Sequence, residues 1–254
     1  MGDVTLKDLL EAGVHFGHQT RRWNPKMKPF IFMEKNGIHI IDLEKTLEGA
    51  MRARDAVREV AQRGKNVLFI GTKPQAKNVV REEAERCSMP FVSERWLGGT
   101  LTNFNTVRRS LDKLEYLEKI ETDGTIEQFS KKEALRLRKE RDKLIKALGG
   151  IRGMTETPAL VFVVDTKKEI NAVREARKLR IPIIGLIDTN ADPDEVDYPI
   201  PSNDDAMRAI ALFARMIADA SLEGRASRHE GGDAPTPAAE KQQDVVGRGK
   251  ESVA

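Results

Sequence analysis

The sequence predicts an α/β protein: a doubly wound, mostly parallel sheet with flanking helices and a protruding antiparallel helical hairpin of coiled-coil type. Three observations predict it. Leu160 to Val164 and Ile183 to Ile187 are short, continuously apolar runs rich in β-branched residues, the pattern of strands buried on both faces of a parallel sheet. Between them, Glu169 to Leu179 places Ile170, Val173, Ala176 and Leu179 at helical spacing, which makes a βαβ unit with a right-handed crossover. Finally, residues 105–150 read as two polar amphipathic helices joined by a tight turn, too charged to be wrapped in a core.

The elements follow in order. Thr5 to Asp8 is a capping-box variant that opens a short helix, and Gly13 stops it. His15 to Phe30 is a loop in which Arg21, Arg22, Lys26 and Lys28 are interleaved with Phe16, Trp23 and Phe30. Clustered charge of one sign with exposed rings suits RNA: cations meet phosphates and ring faces stack on bases. The blander alternative is a loop whose rings tuck under the domain while its charges are solvated.

Ile31 to Met33 and Ile38 to Ile41 flank Asn36-Gly37, a hairpin signal. Asp42 caps a helix to about Gln62, with Leu43, Leu47, Ala50, Val57 and Val60 on or near one face. Val67 to Ile70 is a buried strand. The Gly71-Thr72-Lys73 that follows resembles the tail of a phosphate-binding loop, but the rest of the spacing is missing. Gln75 to Cys87 reads as a helix and Phe91 to Ser93 as a short strand. Arg95 to Phe104 is a loop with two adjacent glycines and no dinucleotide-binding frame.

In the hairpin, Val107, Leu111, Leu114, Leu117 and Ile120 mark one stripe and Asp123-Gly124 breaks it. Ser130 to Glu133 is a second capping box; Ala134, Leu137, Leu144 and Leu148 mark the other stripe, with Arg141 interrupting it. Tyr198 to Ile200 reads as a last strand and Ser202 to Asp205 as the cap of a final helix, where Met207, Ile210, Ala211, Phe213, Ala214 and Ile217 supply apolar contacts. From Gly224 onward apolar material nearly vanishes, which predicts disorder. The chain therefore divides into residues 1–104, the first part of the α/β domain with its RNA-binding loop; 105–150, the hairpin; 151–223, the second part; and 224–254, a tail.

A chain of 254 residues is long enough for a full core. One-third of it is charged (33%), with a net charge of only +3, so where the charges lie carries more information than their sum. A single cysteine, Cys87, excludes intrachain disulfides and cysteine-rich zinc modules. No apolar run approaches a membrane span and the first turns are charged; a soluble protein in a reducing compartment is expected.

Both strands of the βαβ unit end in Asp-Thr, at Asp165-Thr166 and Asp188-Thr189, on the sheet edge where α/β proteins usually hold ligands. Seven acidic residues lie between Asp188 and Asp205 with no Lys or Arg among them. Together with the basic loop at 21–28, this predicts a two-sided molecule: RNA on the basic side, a protein or cation on the acidic side. His18, Asp188, Asp204 and Asp205 form a candidate set for zinc or another divalent cation, although Asp204 and Asp205 equally suit a helix start. Enzyme readings are weaker. Residues 163–167 resemble a phosphatase-type aspartate motif, but Lys167 stands where its second aspartate would be. There is no nucleophile elbow.

Four segments together resemble one family: HFGHQTRRWNPKM at 15–27, RWLGGTLTNF at 95–104, GLIDTNADP at 185–193 and PIPSNDDA at 199–206. They are similar to the bacterial small-subunit ribosomal protein 2 family over about residues 3–222. The resemblance implies a doubly wound α/β domain with a protruding hairpin, no catalysis, no required cofactor and no small-molecule substrate. It also implies a cytoplasmic place on the ribosome, in contact with ribosomal RNA and neighbouring proteins and helping to hold the large mRNA-binding ribosomal protein 1. RNA contact carried over in this way falls on Arg21, Arg22, Trp23, Lys26, Lys28, Arg95, Trp96, Arg108 and Arg109. Protein contact is expected at Phe32, Asp192, Asp194 and Asp197. The alternative function is a metal-dependent nucleotide- or phosphoester-handling enzyme on the same sheet edge.

Overall fold

The computed structural model describes residues 4–231, with side chains through residue 228. Five strands form a wholly parallel sheet: β4 (Val67–Ile70), β5 (Phe91–Val92), β6 (Leu160–Val164), β7 (Ile183–Ile187) and β8 (Tyr198–Pro201), in the order β5-β4-β6-β7-β8. Every residue of β4, β6 and β7 is buried, as their unbroken apolar sequences require. Pro199 and Pro201 lie on β8 at the sheet's edge, where a missing ladder donor is tolerated. A second, antiparallel sheet joins β1 (Phe16–Gln19), β3 (Ile38–Ile41) and β2 (Ile31–Lys35), in that order. The turn between β2 and β3 has Asn36 at φ 53° and Gly37 at φ 74°, the left-handed pair that a tight hairpin needs.

Helices cover both faces of the large sheet. On one face α1 (Leu6–Glu11), α2 (Leu43–Gln62), α3 (Pro74–Arg86) and α7 (Met207–Gly231) pack on Val67, Phe69, Phe162, Val164, Ile184, Leu186 and Ile200. Phe69 and Phe162 are register partners on β4 and β6 and meet edge-to-face at 5.6 Å, an arrangement contributing about 1 kcal/mol beyond burial. The helix α2 lies so close to β8 that a Cβ at Gly49 would come within 2.4 Å of the Pro199 carbonyl oxygen.

On the other face α6 (Ile170–Lys178), the loop after β5 and the inner ends of α4 (Phe104–Thr122) and α5 (Lys131–Leu148) close over Leu68, Ile70, Val161, Val163 and Ile183. Farther along the helical pair, Leu114, Leu117, Ile120 and Ile126 are buried. Arg141, which breaks the apolar stripe of α5, pairs with Glu121 of α4 and Asp142. Both predicted capping boxes are formed, at Thr5 with Asp8 and at Ser130 with Glu133.

Three expectations need correction. Helix α7 does not stop near Gly224 but runs to Gly231. Its extension is held because Arg225 donates to the carbonyls of Cys87 (2.7 Å) and Ser88 (3.2 Å), which the end of α3 leaves without helical partners. The rest of the expected tail lies outside the described residues. Met207 and Leu179, placed on apolar faces by spacing, are 61% and 41% exposed; each sits at a helix end, beyond the reach of the sheet.

Candidate nucleic-acid interface

The carboxyl edge of the sheet gathers charges from four strand ends. Lys73, after β4, extends its ammonium to 3.1 Å from Asp165 (after β6), 2.7 Å from Asp204 and 2.6 Å from Asp205 (both after β8). Asp188, after β7, accepts from His18 of β1: Nδ1 of the imidazole is 2.9 Å from Oδ2, and the backbone N–H donates to Oδ1. His18 Nε2 lies 3.8 Å from Asp205. Asp165 holds a left-handed backbone (φ 64°), and its carboxylate accepts from the Lys168 N–H.

These contacts set the charge states. Burial, then the neighbouring Asp165 and Asp188 carboxylates, pushes the Asp204 carboxyl up to about 7, against the pull of Lys73. Burial alone would lower the Lys73 ammonium, yet Asp204, Asp205 and Asp165 outweigh it and raise its pKa. The hydrogen bond to Asp188 raises the His18 imidazole against desolvation. One nitrogen or oxygen from each of His18, Asp188 and Asp204 lies within 4.8 Å of the others, so the proposed metal donors do converge, around an edge that already holds its own ammonium.

The basic loop lies on this acidic edge rather than opposite it. Asn24 N–H donates to the Thr189 carbonyl at 2.7 Å. Met27 is buried with Ile187 and Ala191. Lys26 bonds Asp192 at 2.8 Å and Asp194 at 2.7 Å, which raises the lysine pKa and lowers that of Asp192. The expected two-sided charge distribution is therefore corrected: opposite charges far apart in sequence neutralise each other locally. Arg21, Arg22 and Lys28 remain exposed. Trp23 is 36% exposed and leans against buried His39, ring centres 5.1 Å apart.

The second segment, 95–104, is organised by one residue that the sequence reading overlooked. Glu175 on α6 accepts hydrogen bonds from Trp96 Nε1 (3.0 Å), the backbone N–H groups of Gly99 (2.8 Å), Leu101 (3.0 Å) and Thr102 (3.0 Å), and the Thr102 hydroxyl (3.0 Å). Burial raises its pKa, but these donors prevail and lower it. Trp96 is thus a buried anchor of the loop, 8% exposed within the same apolar cluster as Leu68 and Ile70, not a stacking platform. Arg95, Arg108 and Arg109 are exposed, and Arg108 also donates to the Thr155 carbonyl at 3.0 Å.

Of the expected protein-binding residues, Phe32 is 71% exposed on the rim of a groove of about 550 Å³ lined by Leu6, Leu10, Ile40 and Leu43. Asp192 is taken by Lys26 and the Asp194 N–H, and Asp197 accepts from the Ile183 N–H at 2.9 Å. Nothing in the spacing foretold Lys73 among the aspartates or Glu175 beneath the loop; each joins segments many residues apart.

Comparison with known proteins gives a consistent result. The family model described as ribosomal protein S2 matches residues 9–224. The chain is 56% identical over 229 residues to the small ribosomal subunit protein uS2 of Geotalea uraniireducens, covering 90% of each chain. It is 55% identical to the protein of that name from Campylobacter concisus, over 95% of this chain and 92% of the relative. For the Treponema pallidum protein the identity is 56%, over 88% and 77% respectively.

Proposed function

The chain belongs to the ribosomal protein S2 family, and from that premise we propose that it binds small-subunit ribosomal RNA through segments 15–30 and 95–104, with Arg108 and Arg109 beside the second, and helps dock the mRNA-binding ribosomal protein 1. Membership makes it a structural protein of the small ribosomal subunit, in the cytoplasm and serving translation. It is not an enzyme, which removes the nucleotide- or phosphoester-handling alternative. Among the described residues no helix is long and apolar enough to cross a membrane.

The observation that carries the RNA reading is the cluster of exposed Arg21, Arg22 and Lys28 beside the half-open face of Trp23. Cations there can meet phosphates while the ring accepts a base. Arg95, Arg108 and Arg109 form the second contact. Lys26, tied to Asp192 and Asp194, serves the loop's position first.

Protein docking is supported by Phe32, exposed at the rim of an apolar groove. The family generally needs no cofactor. His18, Asp188 and Asp204 lie close enough, with Asp205 near His18, that a divalent ion such as zinc could be held only by displacing the His18–Asp188 hydrogen bond and the Lys73 ammonium that already balance these carboxylates. Metal analysis of purified subunits, with and without His18→Ala, tests it: equal metal content rules the ion out.

The central test is sedimentation of a lysate through sucrose gradients in magnesium. Co-migration with the small subunit, weakened as salt rises because phosphate contacts release counterions, is the expected result. Recovery only at the top of the gradient overturns the reading. Phe32→Ala should lower the protein 1 content of the subunit without releasing this chain.

A further inference from the structure

We propose that Glu175 is the positioning residue of the second RNA-contacting segment: its carboxylate folds residues 95–104 into the shape that presents Arg95 and seats the start of α4, from which Arg108 and Arg109 extend. The inference rests on the RNA reading above.

The loop leaves the sheet after β5 and must turn into α4 within about a dozen residues. Its apolar members, Trp96 and Leu101, enter the core beside Leu68 and Ile70. That burial draws the intervening backbone inward, so the N–H groups of Gly99, Leu101 and Thr102 point into the protein rather than toward water. Inward-pointing amides need acceptors. Gly99 adopts φ 88°, which helps curl successive amides toward one point, the geometry of an anion nest.

Glu175 supplies the anion. It is set on the buried side of α6, between Ala172 and Ala176 in the core, and five donors converge on its two oxygens. A carboxylate has about four lone-pair positions, so this one is saturated by neutral donors, and hydrogen bonds to an ionised group are the strong kind. Two consequences follow for RNA. The nest is filled from within, so the Gly99, Leu101 and Thr102 amides are not available to a phosphate. The loop's side chains also extend from a backbone that is already fixed, which reduces the ordering cost of binding. The loop closes on itself as well: Asn103 N–H donates to the Gly99 carbonyl at 2.8 Å, ahead of the first turn of α4.

The test uses the full chain and small subunits stripped of it. Glu175→Gln keeps one accepting oxygen and turns the other into a donor, so hydrogen exchange should accelerate about tenfold or more at the amides that face the new NH2, either Gly99 or the Leu101 and Thr102 pair, while Val161 to Val164 stay unchanged. The concentration that half-saturates stripped subunits should rise about tenfold, with the slope of affinity against salt unaltered because no phosphate contact has been removed. Glu175→Asp, which keeps the charge on a shorter arm, should fall between wild type and Glu175→Gln in both readouts, and it decides the matter if the glutamine variant does not fold. Unchanged exchange overturns the proposal, and so does faster exchange with wild-type subunit affinity. The RNA reading is judged separately by Arg21→Ala combined with Arg22→Ala: weakened, less salt-sensitive binding sustains that reading even if the Glu175 variants bind normally. If the arginine and Glu175 variants all bind as wild type does, both fall.

Discussion

The Lys73 ammonium donates to Asp204 Oδ1 at 2.7 Å, joining the end of β4 to the segment after β8 across the carboxyl edge of the sheet. The same nitrogen reaches Asp165 and Asp205. Three carboxylates thus share one ammonium, and the edge strand's exit is fixed to the centre of the sheet.

Removing that ammonium should cost more than losing a surface pair. Lys73→Met leaves Asp204 without its cation, but a carboxyl that burial already pushes up to about 7 takes up a proton rather than stay charged, so the expected loss of unfolding free energy is about 1–3 kcal/mol, growing as pH rises. Adding Asp204→Asn should restore part of the loss. Urea denaturation of the single and double variants measures both effects.

The contribution of Glu175 should depend on pH in a definite direction. Its folded pKa is depressed below the ordinary value of 4.5, so the stability it contributes is fully present above 4.5 and is lost as pH falls through the folded value. The difference in stability between wild type and Glu175→Gln should therefore be widest at neutral pH and close in acid below that value. Denaturation midpoints for both proteins from pH 7 to pH 3 would show a constant gap if the carboxylate's charge were irrelevant.

Close packing of α2 on β8 makes Gly49 intolerant. Gly49→Ala would put a methyl 2.4 Å from the Pro199 carbonyl oxygen, a backbone atom, with no flexible side chain to yield. A loss of about 1–3 kcal/mol is expected from overpacking, despite alanine's higher helix propensity. Gly37→Ala meets no atoms within 4 Å but must adopt φ 74°, so it should cost only about 1 kcal/mol. Comparing the two in thermal melts separates collision from backbone strain.

Cys87 should be inert in the folded protein. It is buried, and burial pushes its thiol up to about 11, so at pH 7 almost no thiolate exists to react. A chromogenic disulfide reagent should label it only at the rate of unfolding, and denaturant should make labelling immediate.

The elements that could be read from sequence were those decided locally. Unbroken apolar runs rich in β-branched residues marked β6 and β7, Asn36-Gly37 marked the hairpin, and side-chain spacing located the capping boxes at Thr5 and Ser130. The site was legible only in part. Arg21, Arg22 and Lys28 are exposed as expected, and His18 does meet Asp188, Asp204 and Asp205. Burial of an amphipathic residue is decided by tertiary packing, however, so Trp96 looked the same in sequence as Trp23 although one anchors the core and the other lies open. Long-range neutralisation was equally hidden: a run of seven acids read alone suggests a repelling face, but Lys26 and Lys73 arrive from segments well over a hundred residues away. Glu175 sits in a helix rich in charge, where no spacing rule distinguishes a carboxylate that faces water from one that faces a loop.

The position of α7 has a consequence in time as well as in space. The larger half of the core joins α1, α2 and α3, all complete by Arg86, to Ile210, Phe213, Ala214 and Ile217 of α7, and the helix is tied down by Arg225 on Cys87. A chain made from its first residue onward must therefore keep Val57, Val80 and Phe69 waiting while more than a hundred further residues are added. The face carrying α6 and the helical pair can close earlier. The nascent protein should thus acquire its two cores in sequence, and a chain halted before residue 207 should hold one finished face and one open, apolar one.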